Sequence, residues 1–507
     1  MSSLSVIQHL TQRLHQENIR YCHWKSNEHV DAAVEGKTDL DVLVDRNKKA
    51  ELQQVLSEVG FKYFEAIPCR KYVDIEDYLA LDRETGTLVH FHLHYVLELG
   101  EKQLKGYHLP WEELLLSTRL YDYEHEIYVA NPNIEILLLM VRATLKVRLR
   151  DRLKRLTGHN YFKGDFIREF YWLKDRIDVD QVRQLSEELL GPAAAKLVLN
   201  ILNQESYLKQ LLRTGNPIQT ALEPYRRYHP LVSRWLRWSR EFENLVYKVL
   251  RKYFDAPVTT RRTPVNGGIV VAILGADGSG KSTVISEVKK CLSQKLDVLP
   301  VYLGSGDGTA SWFRAPLVWA TRGSKTRQRK KHKAAAADPQ LKTNDSDALP
   351  KKSKSKLANL FQWLWATSLV YEKQGKLKQS FQAKERGIIV IADRYPQSQI
   401  LGFNDGPLLS SHDGYKSPFP ESLQKWEFES YQHMAEKTPP DLVIKLNVTP
   451  EVALTRKPES PAEGVRKKVA AVQSLQFPAQ TTVVTIDATQ PLDDVLVQAK
   501  WAIWENL

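Results

Sequence analysis

Residues 268 to 274, GIVVAIL, form a short, almost unbroken apolar run that leads directly into Gly275-Ala276-Asp277-Gly278-Ser279-Gly280-Lys281-Ser282. Such a run is expected of a central parallel strand covered on both faces. After Lys281-Ser282-Thr283, the apolar residues Val284, Ile285, Val288 and Leu292 fall at helical spacing. Strand, glycine loop and helix in that order predict an open α/β sheet with the loop at its carboxyl edge. The glycines let successive backbone N–H groups converge on phosphate oxygens, and the helix N-terminus adds positive potential. On this reading Lys281 reaches the β and γ phosphates of a triphosphate, Ser282 ligates Mg²⁺, and Thr283 is the weaker candidate hydroxyl.

Two further segments fit the same sheet. Residues 387 to 392, GIIVIA, read as a strand ending in Asp393-Arg394-Tyr395, which places an acid where open α/β sheets bind ligands. Residues 440 to 448 read as another strand, and Pro450 to Lys457 as a helix entering a basic stretch that continues through Arg466, Lys467 and Lys468.

From about Gly268 to Leu507 the chain resembles the thymidylate kinase family of the nucleoside monophosphate kinase-like P-loop fold. Four features carry the resemblance: the DGSGKST loop, Asp393-Arg394-Tyr395, PDLVIKLNVTPEVALTRK and the C-terminal VVTIDATQPLDDVLVQAKWAIW. It implies that Asp393 works beside Mg²⁺ and the acceptor, that Arg394 contacts the transferring phosphates, and that Arg456 and Arg466 come from a lid closing over ATP. The chain also departs from the family. Where an Arg-Glu-Pro stretch usually holds the acceptor monophosphate, it has Val301-Tyr302-Leu303-Gly304-Ser305-Gly306-Asp307-Gly308, and its lid, Lys457-Pro458-Glu459-Ser460-Pro461, is unusual. The acceptor therefore stays open between a nucleoside monophosphate and a related sugar or phosphate compound.

In the N-terminal half, Thr38 to Val44 alternates so that Asp39 and Asp41 share one strand face while Leu40, Val42 and Val44 face a core. Two carboxylates on one face are a natural divalent-metal site. They follow Lys25-Ser26-Asn27, an arrangement that resembles the nucleotidyltransferase superfamily, in which a Gly-Ser turn precedes an Asp-x-Asp strand. Lys25 stands at the glycine position and no third carboxylate is evident. Instead Val89 to Tyr95 carries His90, His92 and His94 on one face, with His92 the candidate metal ligand; imidazole favours transition metals or phosphate over Mg²⁺. Residues 111 to 222 have helical periodicity, strongly basic from Arg142 to Arg155. The paired domains resemble those of bacterial polysaccharide-locus proteins, which implies sugar or nucleotide-sugar activation.

The net charge of +12 is concentrated in one place. Residues 322 to 356 carry +9 and almost no large apolar side chain, which predicts a disordered basic insertion and leaves about +3 elsewhere. The insertion is either merely solvated or contacts nucleic acid or an anionic membrane. Tyr225 to Pro264 predicts an amphipathic helix bearing Leu231, Trp235, Trp238, Phe242, Leu245 and Val249, which either packs on a neighbouring domain or lies on a membrane. The apolar run Ile134 to Val141 is too short to span a bilayer. The N-terminus lacks a signal-peptide core, and three scattered cysteines, Cys22, Cys69 and Cys291, suit a reducing cytoplasm, with a position at the inner membrane face as an option.

The expected organisation is an α+β nucleotidyltransferase-like domain over 1–110, a helical domain and linker helix over 111–255, and a P-loop kinase domain over 266–507. The expected function is an ATP- and Mg²⁺-dependent kinase, with a bifunctional enzyme as its extension. The alternative is a nucleotide-regulated scaffold that binds nucleic acid or membrane. ATP and a small-molecule acceptor are the expected partners, with a homodimer as an option.

Overall fold

A computed structural model describes residues 3–101, 103–147, 164–213, 215–254, 256–304, 356–401, 405–411 and 416–507. The predicted basic insertion lies outside the described residues apart from Lys356, as do Ser305 to Gly308 and the basic run from Arg148 to Arg155. The chain divides into two compact units, Met1–Val265 with Lys295–Asp297, and Asn266–Gln294 with Val298–Leu507. Among the described residues no helix is long and apolar enough to cross a membrane.

The strands of the first unit are β1 (Tyr21–His23), β2 (Leu40–Val44), β3 (Lys62–Glu65), β4 (Ile75–Leu81), β5 (Leu88–His94), β6 (Leu97–Gly100), β7 (Lys105–Leu109), β8 (Leu120–Asp122), β9 (Ile127–Val129) and β10 (Thr263–Pro264). Eight form a mixed sheet in the order β10-β3-β4-β5-β2-β1-β9-β8, and β6 and β7 form a hairpin. Strand alternation sorts the side chains between the two faces. Leu40, Val42, Val89, Phe91 and Leu93 pack with the helices Ser5–Gln16 and Lys49–Val59 in one core. Cys22, Trp24 and Leu43 point the other way, into a core shared with the helices Pro132–Lys146, Val179–Leu190 and Pro192–Asn203. The sequence-predicted division near 110 thus falls inside one compact unit, because the helical segments supply the cover for one face of the sheet. The apolar run Ile134 to Val141 lies in the buried helix Pro132–Lys146.

In the second unit β11 (Val270–Gly275), β12 (Val298–Tyr302), β13 (Ile389–Asp393), β14 (Leu442–Asn447) and β15 (Thr482–Asp487) make a parallel sheet in the order β12-β13-β11-β14-β15. Every residue of the central strand β11 is buried, as its unbroken apolar sequence requires. The helices Lys281–Leu292 and Leu492–Glu505 pack together against the sheet. Val270, Ala272 and Leu274 share a core with Val370 and Leu377 of the long helix Lys356–Glu385 and with Tyr431 and Met434 of the helix Glu421–Lys437. Helices on both faces of a parallel sheet constitute the layering expected of a P-loop fold.

Candidate functional site

The glycine loop turns at the carboxyl end of β11 and enters the helix Lys281–Leu292. Two of its glycines are fixed by space. A Cβ on Gly275 would run into the Ser279 hydroxyl, and one on Gly278 would lie 2.5 Å from the Ala453 carbonyl oxygen, with φ at +85° where side chains are strained. Gly280 also has a positive φ, +87°, and caps the helix. The Lys281 ammonium is buried and donates to the carbonyl oxygens of Gly275 and Ala276 at 2.8 and 2.9 Å. Burial, reinforced by the Arg394 charge, lowers its pKa to about 8. Ser282 and Thr283 are exposed on the first turn, at the mouth of the loop.

Asp393 ends β13 and stands in register with Ile273 of β11 and Tyr302 of β12. Its Oδ1 is buried and has no hydrogen-bond partner among the described residues, and burial raises its pKa despite the neighbouring Lys281 and Arg394. Arg394 takes a left-handed conformation, φ +71°, which sends its guanidinium toward Asp277 and Asp405, each 3.4 Å away. Gly304 is pressed against Tyr302 and Arg394, where a Cβ would meet the Arg394 Cδ at 2.9 Å.

Asp277 holds a second cation, Lys468, whose Nζ is 2.5 Å from Oδ2. Lys468 belongs to the helix Ala462–Ser474, whose C-terminal carbonyls are gripped by a buried lysine of the sheet: Lys445 Nζ donates to Gln473 O at 3.1 Å and Leu475 O at 2.5 Å. The sequence places Lys468 in a basic stretch but gives it no role of its own, because its basic neighbours leave it no distinguishing signal. Arg456 is exposed at the end of the helix Pro450–Arg456. Arg466 lines a cleft of about 460 Å³ with Asn447, Thr449, Gln473, Asp487 and Thr489. Val448 and Val469, also in that lining, pack with Ala276, so the cleft borders the glycine loop.

The first unit contains a separate polar cluster on the face of its sheet opposite the Phe91 core. Asp41, His92 and Asp77 stand side by side across β2, β5 and β4. Asp41 Oδ1 lies 2.8 Å from His92 Nδ1, 2.8 Å from Lys25 Nζ and 3.8 Å from His94 Nε2. Burial would raise the Asp41 carboxyl, but Lys25 and the two imidazoles hold it well below the usual range. His90 bridges Asp39 and Asp77, at 2.9 and 2.7 Å, and Arg262 also pairs with Asp77 at 2.8 Å. Asp77 is thus the carboxylate that sequence reasoning missed, because only the antiparallel β4/β5 register brings it in. Asp41, His92 and His94 can converge on one metal ion, whereas Asp39 is directed to His90.

The turn beside this cluster is set by the helices. Ser26 adopts φ +58°, the conformation glycine prefers, which lets the Lys25-Ser26-Asn27 turn form without one. Glu135 accepts from Asn27 N at 3.0 Å and Asn27 Nδ2 at 2.7 Å, and Glu169 accepts from Ser26 N at 3.2 Å and Arg142 Nη1 at 2.8 Å. Burial lowers the Lys105 ammonium, which Lys25 also disfavours, to about 7.

No protein-family model matches the chain. Over 245 residues it is 29% identical to a protein of Escherichia coli K12 named "Uncharacterized ATP-binding protein YghR", covering 46% of this chain and 86% of that protein. It is 28% identical over 244 residues to "Uncharacterized ATP-binding protein YghS" of the same strain, covering 48% of this chain and 93% of that protein. Its similarity to both is thus confined to about half of its own length.

The loop geometry generates a prediction. In Gly278→Ala the added methyl meets the Ala453 carbonyl at a φ that costs an L-residue about 1–2 kcal/mol. Affinity for a fluorescent nucleoside triphosphate analogue should fall roughly tenfold or more in an equilibrium titration; unchanged affinity would show that the loop does not bind phosphates.

Proposed function

We propose that the protein is an ATP-dependent phosphotransferase of the thymidylate kinase-like class, passing the γ-phosphoryl group to a nucleoside monophosphate or a related sugar or phosphate acceptor. The observation that carries this reading is the buried Asp393 Oδ1, without a hydrogen-bond partner among the described residues, beside the Lys281 ammonium, at the carboxyl edge of a parallel sheet and next to a loop in which Gly275 and Gly278 have no room for a side chain. The ATP-binding names of the relatives support the choice of nucleotide.

The residues present fit ATP with Mg²⁺. The loop amides from Ala276 to Ser282 would surround the β phosphate, and Ser282 with Asp393 would hold Mg²⁺, which would supply charge neutralisation for the phosphate oxygens. The Lys281 ammonium exchanges its two carbonyl contacts for phosphate oxygens. The cleft beside Arg466 takes the nucleoside, as its shared wall with Ala276 supports. Arg394, released from Asp277 and Asp405, contributes charge to the equatorial oxygens. In the transfer, the bond from the γ phosphorus to the β–γ bridging oxygen breaks as the acceptor oxygen bonds to phosphorus. Where that oxygen is a hydroxyl, its proton would pass to the Asp393 carboxylate oxygen not engaged by Mg²⁺.

A second reading concerns the first unit, where Asp41, His92 and His94 converge. Two imidazoles and one carboxylate suit a transition metal better than Mg²⁺. The Asp77 carboxylate completes an acidic set compatible with nucleotidyl transfer onto the kinase product, which would make the enzyme bifunctional.

Three outcomes are expected. In a screen of nucleoside monophosphates, sugars and sugar phosphates, ADP release with one acceptor should fall by about a hundredfold or more in Lys281→Ala or Asp393→Asn; near-normal turnover would remove the kinase reading. Phosphates favour the charged lysine, so above pH 8, where unliganded Lys281 is mostly neutral, ATP binding should take up a proton and weaken as pH rises. Calorimetry in two buffers of different ionisation heat at about pH 8.5 should show this uptake, lost in Lys281→Met; equal heats would contradict it. Finally, stoichiometric Zn²⁺ or Mn²⁺ binding should be weakened roughly tenfold or more by His92→Ala or Asp41→Asn, with no binding by the wild type ruling the metal site out.

A further inference from the structure

The helix Pro230–Phe254 reverses the usual amphipathic arrangement. Leu231, Trp235, Trp238, Phe242, Leu245 and Val249 recur at steps of four and three, and all are exposed, Trp235 at 69%, Trp238 at 65% and Phe242 at 68%. The charged face is the one fastened to the first unit. Arg237 Nη1 donates to Glu101 Oε1 and Oε2 at 2.8 and 3.1 Å, and Arg240 Nη1 donates to the Gln103 carbonyl at 3.3 Å. The Arg240 guanidinium also stands 5.2 Å from the centre of the Tyr72 ring, and Asn244 on the same face is buried. Ionic contacts therefore set the rotation of the helix, and they hold its apolar face outward.

We propose that this outward stripe docks on an anionic lipid bilayer, with the helix lying in the plane of the headgroups. Its exposed aromatic residues favour this, since amphipathic rings settle at the boundary between headgroups and acyl chains. Charge favours it as well: Arg234 and Lys248 are exposed, whereas Glu241 and Glu243 are partly buried. Charge argues against a second copy of the chain as occupant, because self-association would bring the exposed Arg234 and Lys248 of one helix towards those of the other. A bilayer needs no complementary surface, and several apolar side chains supported by cations suffice for reversible attachment.

The test is flotation of the full-length protein with vesicles of phosphatidylcholine alone or with phosphatidylglycerol added. The wild type should float with the phosphatidylglycerol vesicles and do so less at high salt. W235S/W238S/F242S should reduce flotation about tenfold or more, and R234Q/K248Q should remove the preference for phosphatidylglycerol. Both variants alter exposed side chains, so their thermal midpoints should match the wild type, which separates lost docking from lost folding. A wild type that does not float overturns the proposal, as does a triple variant that floats equally well. So does a wild-type dimer in sedimentation velocity that the triple variant dissociates while neither binds vesicles, because that outcome assigns the stripe to a second copy.

Discussion

Steric exclusion at the carboxyl end of β11 is the constraint on which the second unit's chemistry depends. Gly275 and Gly278 lie so close to Ser279 and the Ala453 carbonyl that the loop has one tight course. That course aims the N-terminal turn of the helix Lys281–Leu292 at the sheet edge and buries the Lys281 ammonium against loop carbonyls. The sheet edge then supplies the opposing charge, since parallel pairing of β13 with β11 brings Asp393 level with Ile273. The buried lysine and the buried carboxylate each depart from their ordinary pKa mainly through loss of water, Lys281 downward and Asp393 upward. On the proposed function, a polyanion with a divalent cation would answer both needs, because it would charge the lysine and pair the carboxylate.

The first unit follows a different electrostatic plan. The three carboxylates of its polar cluster are already engaged: Asp41 with Lys25 and His92, and Asp39 and Asp77 through His90. Here the histidines replace the open oxygen set that a hard cation prefers, so the metal preference shifts with them. The helices behind the sheet do more than cover it, since Glu135 and Glu169 fix the Lys25-Ser26-Asn27 turn through its backbone amides.

What the sequence made legible was whatever depends on near neighbours. The glycine loop, β13 with its terminal Asp393, and the alternation that puts His90, His92 and His94 on one face are all set by periods of two or by φ at single residues. What stayed hidden depends on registers between distant segments. Asp77 joins His92 only through the β4/β5 pairing, and Lys468 reaches Asp277 because Lys445 anchors the far end of its helix. The helix Pro230–Phe254 shows the distinction most clearly. Periodicity identified its stripe, but which face turns inward was decided by Glu101 and Gln103, far away in the chain.

Hydrogen exchange read by mass spectrometry, with and without ATP and Mg²⁺, tests most directly whether the glycine loop is where a triphosphate is held. The account predicts slowed exchange concentrated in peptides spanning residues 275 to 283, because those amides become donors to phosphate oxygens. ATP binding with exchange at 275 to 283 unaltered would contradict it.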